Sequence, residues 1–195
     1  MTTLIKTFLL TGALSLGLTA PAFAEAKQYT VEPTHSYAAF KINHIGFSWI
    51  RGVFNDLEGE FTFNPENPAK SHGTFTVGVD SLNTFHAERN AHLSSGDFFA
   101  VSEFPVATFT STAYEKTGDN TALLHGKLTI KDVTQPVTFE VIEMAAAKDP
   151  WGNFRRAFSA TTTIRLKDFN IDFELGPASE EATLIVNIEA VREGA

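Results

Sequence analysis

Alternation of apolar and polar residues constrains this chain more than any other feature. Residues 36–42 put Ala38, Phe40 and Ile42 on one face. Phe61 and Phe63 alternate through residues 60–64, and Phe75, Val77 and Val79 through residues 73–80. Phe109 marks the inward parity of residues 106–113, Leu128 and Ile130 that of residues 123–131. Phe139 and Val141 do the same for residues 137–142, and residues 157–165 and 183–190 complete the set. A period of two is what a strand with one dry face shows, and these runs are rich in Phe, Val, Ile and Thr, which suit a pleated, half-buried surface. The breaks between them, such as Asn64-Pro65-Glu66-Asn67-Pro68 and Lys116-Thr117-Gly118-Asp119-Asn120, are turn-formers. Residues 132–136 are short enough for a hairpin link.

Roughly eight to ten such strands must bury one face, as a sandwich or as a closed barrel. Closure removes both sheet edges, and an eight-stranded barrel is just wide enough to hold one ligand. One stretch, residues 83–96, does not alternate. It predicts a short helix, with Asn83 or Thr84 capping its start and Gly96 ending it. The fold class expected is therefore all-β, an antiparallel barrel interrupted by one helical insertion.

Residues 1–24 carry a single charge (Lys6), an apolar run and Ala22-Phe23-Ala24, which together read as a cleavable export signal. The mature domain is then residues 25–195, beginning at or near Glu25. Of the 15 basic residues one is Lys6, so the domain carries 14 against 23 acidic ones, a net of −9. With no basic cluster, that balance argues against nucleic acid and against an anionic membrane surface. No stretch after residue 24 is apolar for long enough to span a bilayer, so stable membrane insertion is not expected. The chain has no cysteine, which excludes disulfides, thiolate nucleophiles and Cys-ligated metal. An exported barrel held by packing alone suits a bacterial periplasm.

Eighteen Phe stand against three Tyr and two Trp. Large Phe and small Ala38, Gly52, Gly59 and Ala107 on one face either fill a barrel or leave an apolar tunnel, and the sequence allows both. The lining expected from parity is Ala38, Phe40 and Ile42, Phe61 and Phe63, Phe75 and Val77, Phe109, Leu128 and Ile130, Phe139 and Val141. The non-alternating segment offers an element to lie over an opening. Its Arg89, His92, Leu93, Phe98 and Phe99 are the expected mouth or head-group residues, with Arg51 as a further cation. No catalytic residue is assigned. There is no HExxH pair among the six His, no GxSxG elbow and no phosphate-binding Gly loop. No metal site is expected, and Glu88 with His92 reads as a helix-surface pair.

Several motifs occur in order along the chain. They are Tyr29-Thr30-Val31-Glu32-Pro33-Thr34-His35-Ser36, then Gly52-Val53-Phe54, Leu82-Asn83-Thr84, His92-Leu93-Ser94-Ser95 and Asp97-Phe98-Phe99. Phe104-Pro105-Val106-Ala107-Thr108-Phe109, Gly126-Lys127-Leu128-Thr129-Ile130-Lys131-Asp132-Val133-Thr134 and Asp168-Phe169-Asn170-Ile171 follow. In this order they resemble the YceI-like family of polyisoprenoid-binding, lipocalin-like periplasmic proteins. Glu32 stands where the family has Asp, Asn170 where it has Gly, and Leu166 where it has a basic residue. The resemblance implies a lipocalin-type eight-stranded antiparallel barrel and an elongated cavity for a long-chain isoprenoid, a quinone or a fatty lipid. It implies no enzyme chemistry and no cofactor. Transport, storage or stress protection are the corresponding roles, and a homodimer is left open. Two alternatives stand beside this reading: an enzyme working on such a lipid with His or Asp side chains at the mouth, and a stress protein whose barrel is filled.

Overall fold

The structure is a computed structural model that describes residues 26–194. The export signal and the expected start at Glu25 lie outside the described residues. The described chain forms β1 (Lys27–Val31), β2 (Tyr37–His44), β3 (Ser48–Phe54), β4 (Leu57–Phe63), β5 (His72–Gly78) and β6 (Leu82–Asn83). After these come helix α1 (Ala87–Ser94) and β7 (Val106–Lys116), β8 (Thr121–Ile130), β9 (Val133–Lys148), β10 (Phe154–Arg165) and β11 (Glu181–Arg192). All pairings are antiparallel, and the β1–β11 ladder, Tyr29 opposite Arg192, closes the sheet.

The eleven segments make a closed barrel of eight strand positions. β1 and β2 are one long strand along β11, broken by the 3₁₀ turn Pro33–His35. β3 and β4 continue each other on its far side, and β5 and β6 do so beyond them across the turn Val79–Ser81. Pro33 explains the first break: it fixes φ and brings no N–H to the ladder. Such breaks bend a strand and let a sheet curl shut.

The expected runs are present as strands, mostly longer than their apolar cores. β1 and β3 were not among the runs read from alternation, because Lys27–Val31 is too short and Gly52 blanks an inward position of β3. The 132–136 link is shorter than expected: Ile130 pairs with Val133, so only Lys131 and Asp132 turn, with Lys131 at φ 55. Pro136 then sits inside β9 opposite Lys127, next to the stretch where β10 no longer pairs. The helix is also shorter than residues 83–96. Asn83 belongs to β6, and His86 is the cap, its Nδ1 accepting the Arg89 N–H at 3.3 Å. Asn170 adopts φ 53, the left-handed conformation that Asn tolerates in place of Gly.

Candidate functional site

The inward parity of the long strands surrounds a cavity of about 450 Å³. All twelve residues expected on the lining do line it, from Ala38 to Val141. Leu57, Phe158, Ile164 and Val186 join them. These were legible in principle: Phe158 and Ile164 share parity in β10, as Leu184, Val186 and Ile188 do in β11. From Ala182 to Ile188 the lining follows β11 for six residue steps, roughly 20 Å at the strand rise. The interior is therefore a tunnel and not a filled core. The partly buried hydrophobics that pack on the central cluster, such as Phe75 and Leu124, face this lumen.

One end is covered by α1 and the loop after it. Arg89, His92, Leu93, Phe98 and Phe99 all line the cavity there. The Arg89 guanidinium is partly committed: Nε donates to Thr84 Oγ1 at 2.9 Å and Nη2 to the Thr84 carbonyl at 2.6 Å. Thr84 is fully buried, and its N–H and hydroxyl both donate to Asn90 Oδ1. The three side chains lock the helix over the opening. His92 packs edge-on against Phe98 and Phe173, each centroid 5.1 Å away, and its Nε2 meets Asp97 Oδ2 at 2.9 Å. The pairing expected for Glu88 is thus not made with His92; Glu88 lies 3.3 Å from His86 instead.

Arg51 does not reach the mouth. Ile50 and Phe54 take the inward parity of β3, which turns Arg51 to the outer face opposite Lys41. Trp49, two residues away, shares that outward face, so nearness to its ring gives Arg51 no access to the lumen.

At the other end Phe63 and Tyr114, perpendicular with centroids 5.8 Å apart, separate the tunnel from a smaller polar pocket of about 270 Å³. Arg156 stands there, buried, with Nη1 paired to Glu143 and its guanidinium 4.1 Å from the Phe63 ring centre. Burial, then the charge of Glu143, pushes the Tyr114 hydroxyl pKa up. Parity counted back from Ile164 puts Arg156 inward, yet the sequence alone does not distinguish it from Arg155. Arg155 lies outside, donating to Asp149 Oδ2 at 2.7 Å and Glu189 Oε1 at 2.6 Å. Glu32, His35 and Glu189 bring ligand atoms within 4.8 Å of one another. Arg155 already supplies the positive charge there, 3.9 Å from Glu32.

A sequence model of the YceI-like domain matches residues 29–190. Protein YceI of Salmonella agona is 44% identical over 183 residues, covering 94% of this chain and 95% of that protein. BcnA of Burkholderia cenocepacia superposes with a TM-score of 0.71 at 22% identity, covering 82% of this chain and 98% of that one. A polyisoprenoid binding domain from Saccharophagus degradans, implicated in plant cell wall breakdown, gives a TM-score of 0.63 at 14% identity, over 84% of this chain and 98% of that domain.

Proposed function

The chain belongs to the YceI-like family, and from that premise we propose that it is a periplasmic binding protein holding a long-chain isoprenoid or similar amphiphilic lipid in the barrel. The observation that carries the reading is the tunnel of about 450 Å³, walled almost wholly by Phe, Leu, Ile, Val and Ala. An apolar chain placed in such a space gains about 0.8 kcal/mol per buried CH₂, less the cost of ordering it. The Saccharophagus degradans domain of the same fold is named for binding polyisoprenoid, which favours a prenyl chain over a fatty one. A quinone carries such a chain and fits the same reasoning.

The head group lies at the α1 end. α1 contributes Arg89 and His92 to the lining there, and the part of the Arg89 guanidinium not used by Thr84 is suited to an anionic oxygen. The role is transfer or storage and not turnover. His92, on the lining, pairs with Asp97, and both side chains are about half exposed. Water reaching that pair works against the desolvated chemistry an enzyme needs. The export signal read in residues 1–24 supports a periplasmic setting.

Organic extraction of the protein purified from its native host, followed by mass spectrometry, tests the reading. One lipid per chain, predominantly isoprenoid, is expected. An empty extract together with no uptake of detergent-dispersed prenyl alcohol refutes it, and conversion of an added lipid to a product favours the enzyme.

A further inference from the structure

The mouth end carries an apolar tip that the tunnel does not explain. In the β2–β3 hairpin Ile45 is 56% exposed, Phe47 88% and Trp49 56%. Turn chemistry does not call for these residues. Ile45 adopts φ 53, a left-handed conformation that suits Gly or Asn and is unfavourable for a β-branched side chain. The loop is nonetheless firmly held. Phe47 N–H donates to the His44 carbonyl at 2.9 Å, Gly46 N–H to Asn43 Oδ1 at 2.6 Å and Ile45 N–H to Ser179 Oγ at 3.3 Å. Large apolar groups are therefore displayed on a rigid tip.

The charges beside the tip are equally unusual. Lys41 and Arg51 are direct cross-strand partners, an unfavourable placement for like charges. Neither has an ion-pair partner among the described residues. Lys41 Nζ sits 4.4 Å from the Trp49 ring centre. Asp97 pairs with His92, Glu174 with Lys167 and Glu180 with Arg165. With Lys41 and Arg51 set aside, the rest of the domain carries 12 basic against 23 acidic residues, a net of −11, so the overall charge disfavours an anionic surface and any attraction to one has to be local to this end. Apolar residues at the tip, a Trp behind them and cations around the Trp form the order in which a bilayer is layered: acyl region, interface, phosphates. Asn43, His44 and Ile45 also line the tunnel, so the tip and the mouth are continuous.

We infer that the β2–β3 tip docks the protein on an anionic lipid bilayer, with Phe47 and Ile45 entering the headgroup boundary, Trp49 at the interface and Lys41 and Arg51 on the phosphates. The mouth then opens directly onto the membrane from which lipid is collected. This rests on the lipid-carrier reading and adds the place of loading. With three apolar side chains engaged, docking is reversible.

The chain has two Trp, and Trp151 lies in the β9–β10 turn at the opposite end, 81% exposed. Trp151→Phe therefore leaves Trp49 as the sole tryptophan, excited apart from the three Tyr at the red edge of the absorption band. With phosphatidylglycerol–phosphatidylethanolamine vesicles its emission is expected to shift to the blue, and the shift should vanish in high salt. The same vesicles should leave the emission of Trp49→Phe, which reports Trp151, unchanged. Adding Phe47→Asp to the Trp151→Phe protein should abolish at least tenfold of the vesicle affinity while uptake of detergent-dispersed prenyl alcohol stays as it was. Uptake from detergent with no Trp49 shift on vesicles overturns docking, as does a shift that survives Phe47→Asp. A shift that follows protein concentration without vesicles identifies self-association of the tip and overturns it as well. A vesicle shift without any lipid uptake sustains docking and refutes the carrier reading.

Discussion

Phe40 and Gly52 face each other across the β2–β3 ladder, and the Phe40 ring occupies the place a Gly52 Cβ would take. The exchange recurs in the wall. Gly59 faces Phe75, whose Cδ1 would be 2.5 Å from an added Cβ, and Gly73 faces Phe61, whose Cβ would be 2.6 Å away. Gly126 likewise makes room for the Phe109 ring. A ring laid over a bare backbone stays against the wall instead of projecting across the lumen. This is how a Phe-rich chain keeps an open tunnel.

Gly52→Ala is expected to push the Phe40 ring off the wall. The cost should be about 1–3 kcal/mol, typical of overpacking, read from denaturant unfolding. Phe40→Leu in the same chain should recover most of it, because the smaller side chain clears the new methyl. A double mutant as unstable as Gly52→Ala alone would show that the clash lies with Thr84, whose methyl is the next neighbour at 3.0 Å.

Ala160 lines the tunnel from β10, between Val141 and Val186. Ala160→Phe should plug it. Uptake of prenyl alcohol is expected to fall at least about tenfold, some 1.4 kcal/mol, while the thermal midpoint holds because the new ring fills existing space. Undiminished uptake would place the lipid outside the barrel.

Arg89→Ala removes two hydrogen bonds to buried Thr84 and is expected to destabilise the α1 cover. A phosphorylated prenyl lipid should lose roughly 1.5–3 kcal/mol of affinity, the size of a charge-assisted bond, and the uncharged alcohol clearly less. Titrating both lipids against both proteins separates the roles. Equal losses mean that Arg89 acts only through Thr84.

Acid should weaken the seam near β1. The Thr34 hydroxyl, donating to Glu32 Oε1 at 2.6 Å, and then His35 hold the Glu32 carboxyl at about 2 instead of its ordinary 4.5. Arg155 likewise holds Asp149 at about 2 in place of 3.8. A carboxyl with a lowered pKa stabilises the folded state fully above its ordinary value and progressively loses that contribution as pH falls toward the lowered one. The thermal midpoint is therefore expected to drop between about pH 4.5 and 2, and Glu32→Gln should flatten part of that limb. An unchanged slope in the variant would show that Glu32 contributes nothing to it.

Local pattern determined a good deal here. Strand parity depends only on the alternation of neighbouring residues, so Phe40, Phe75, Phe109 and Val141 could be placed on the inward face from sequence, and the loss of alternation after Asn83 announced a helix. The order of short motifs carried the family. What neighbours along the chain do not encode was decided by tertiary structure. Tyr29 meets Arg192 across the whole domain, and that pairing closes the barrel. Arg51 turns outward because Ile50 and Phe54 claim the lumen, and Arg156 is buried because closure brings Phe63 and Glu143 around it. The tunnel itself depends on which Phe lies over which Gly of the neighbouring strand, as Phe40 does over Gly52. That is a matter of ladder register, fixed only when the strands pair and the barrel closes around them, so composition by itself allows a filled barrel and an open one equally.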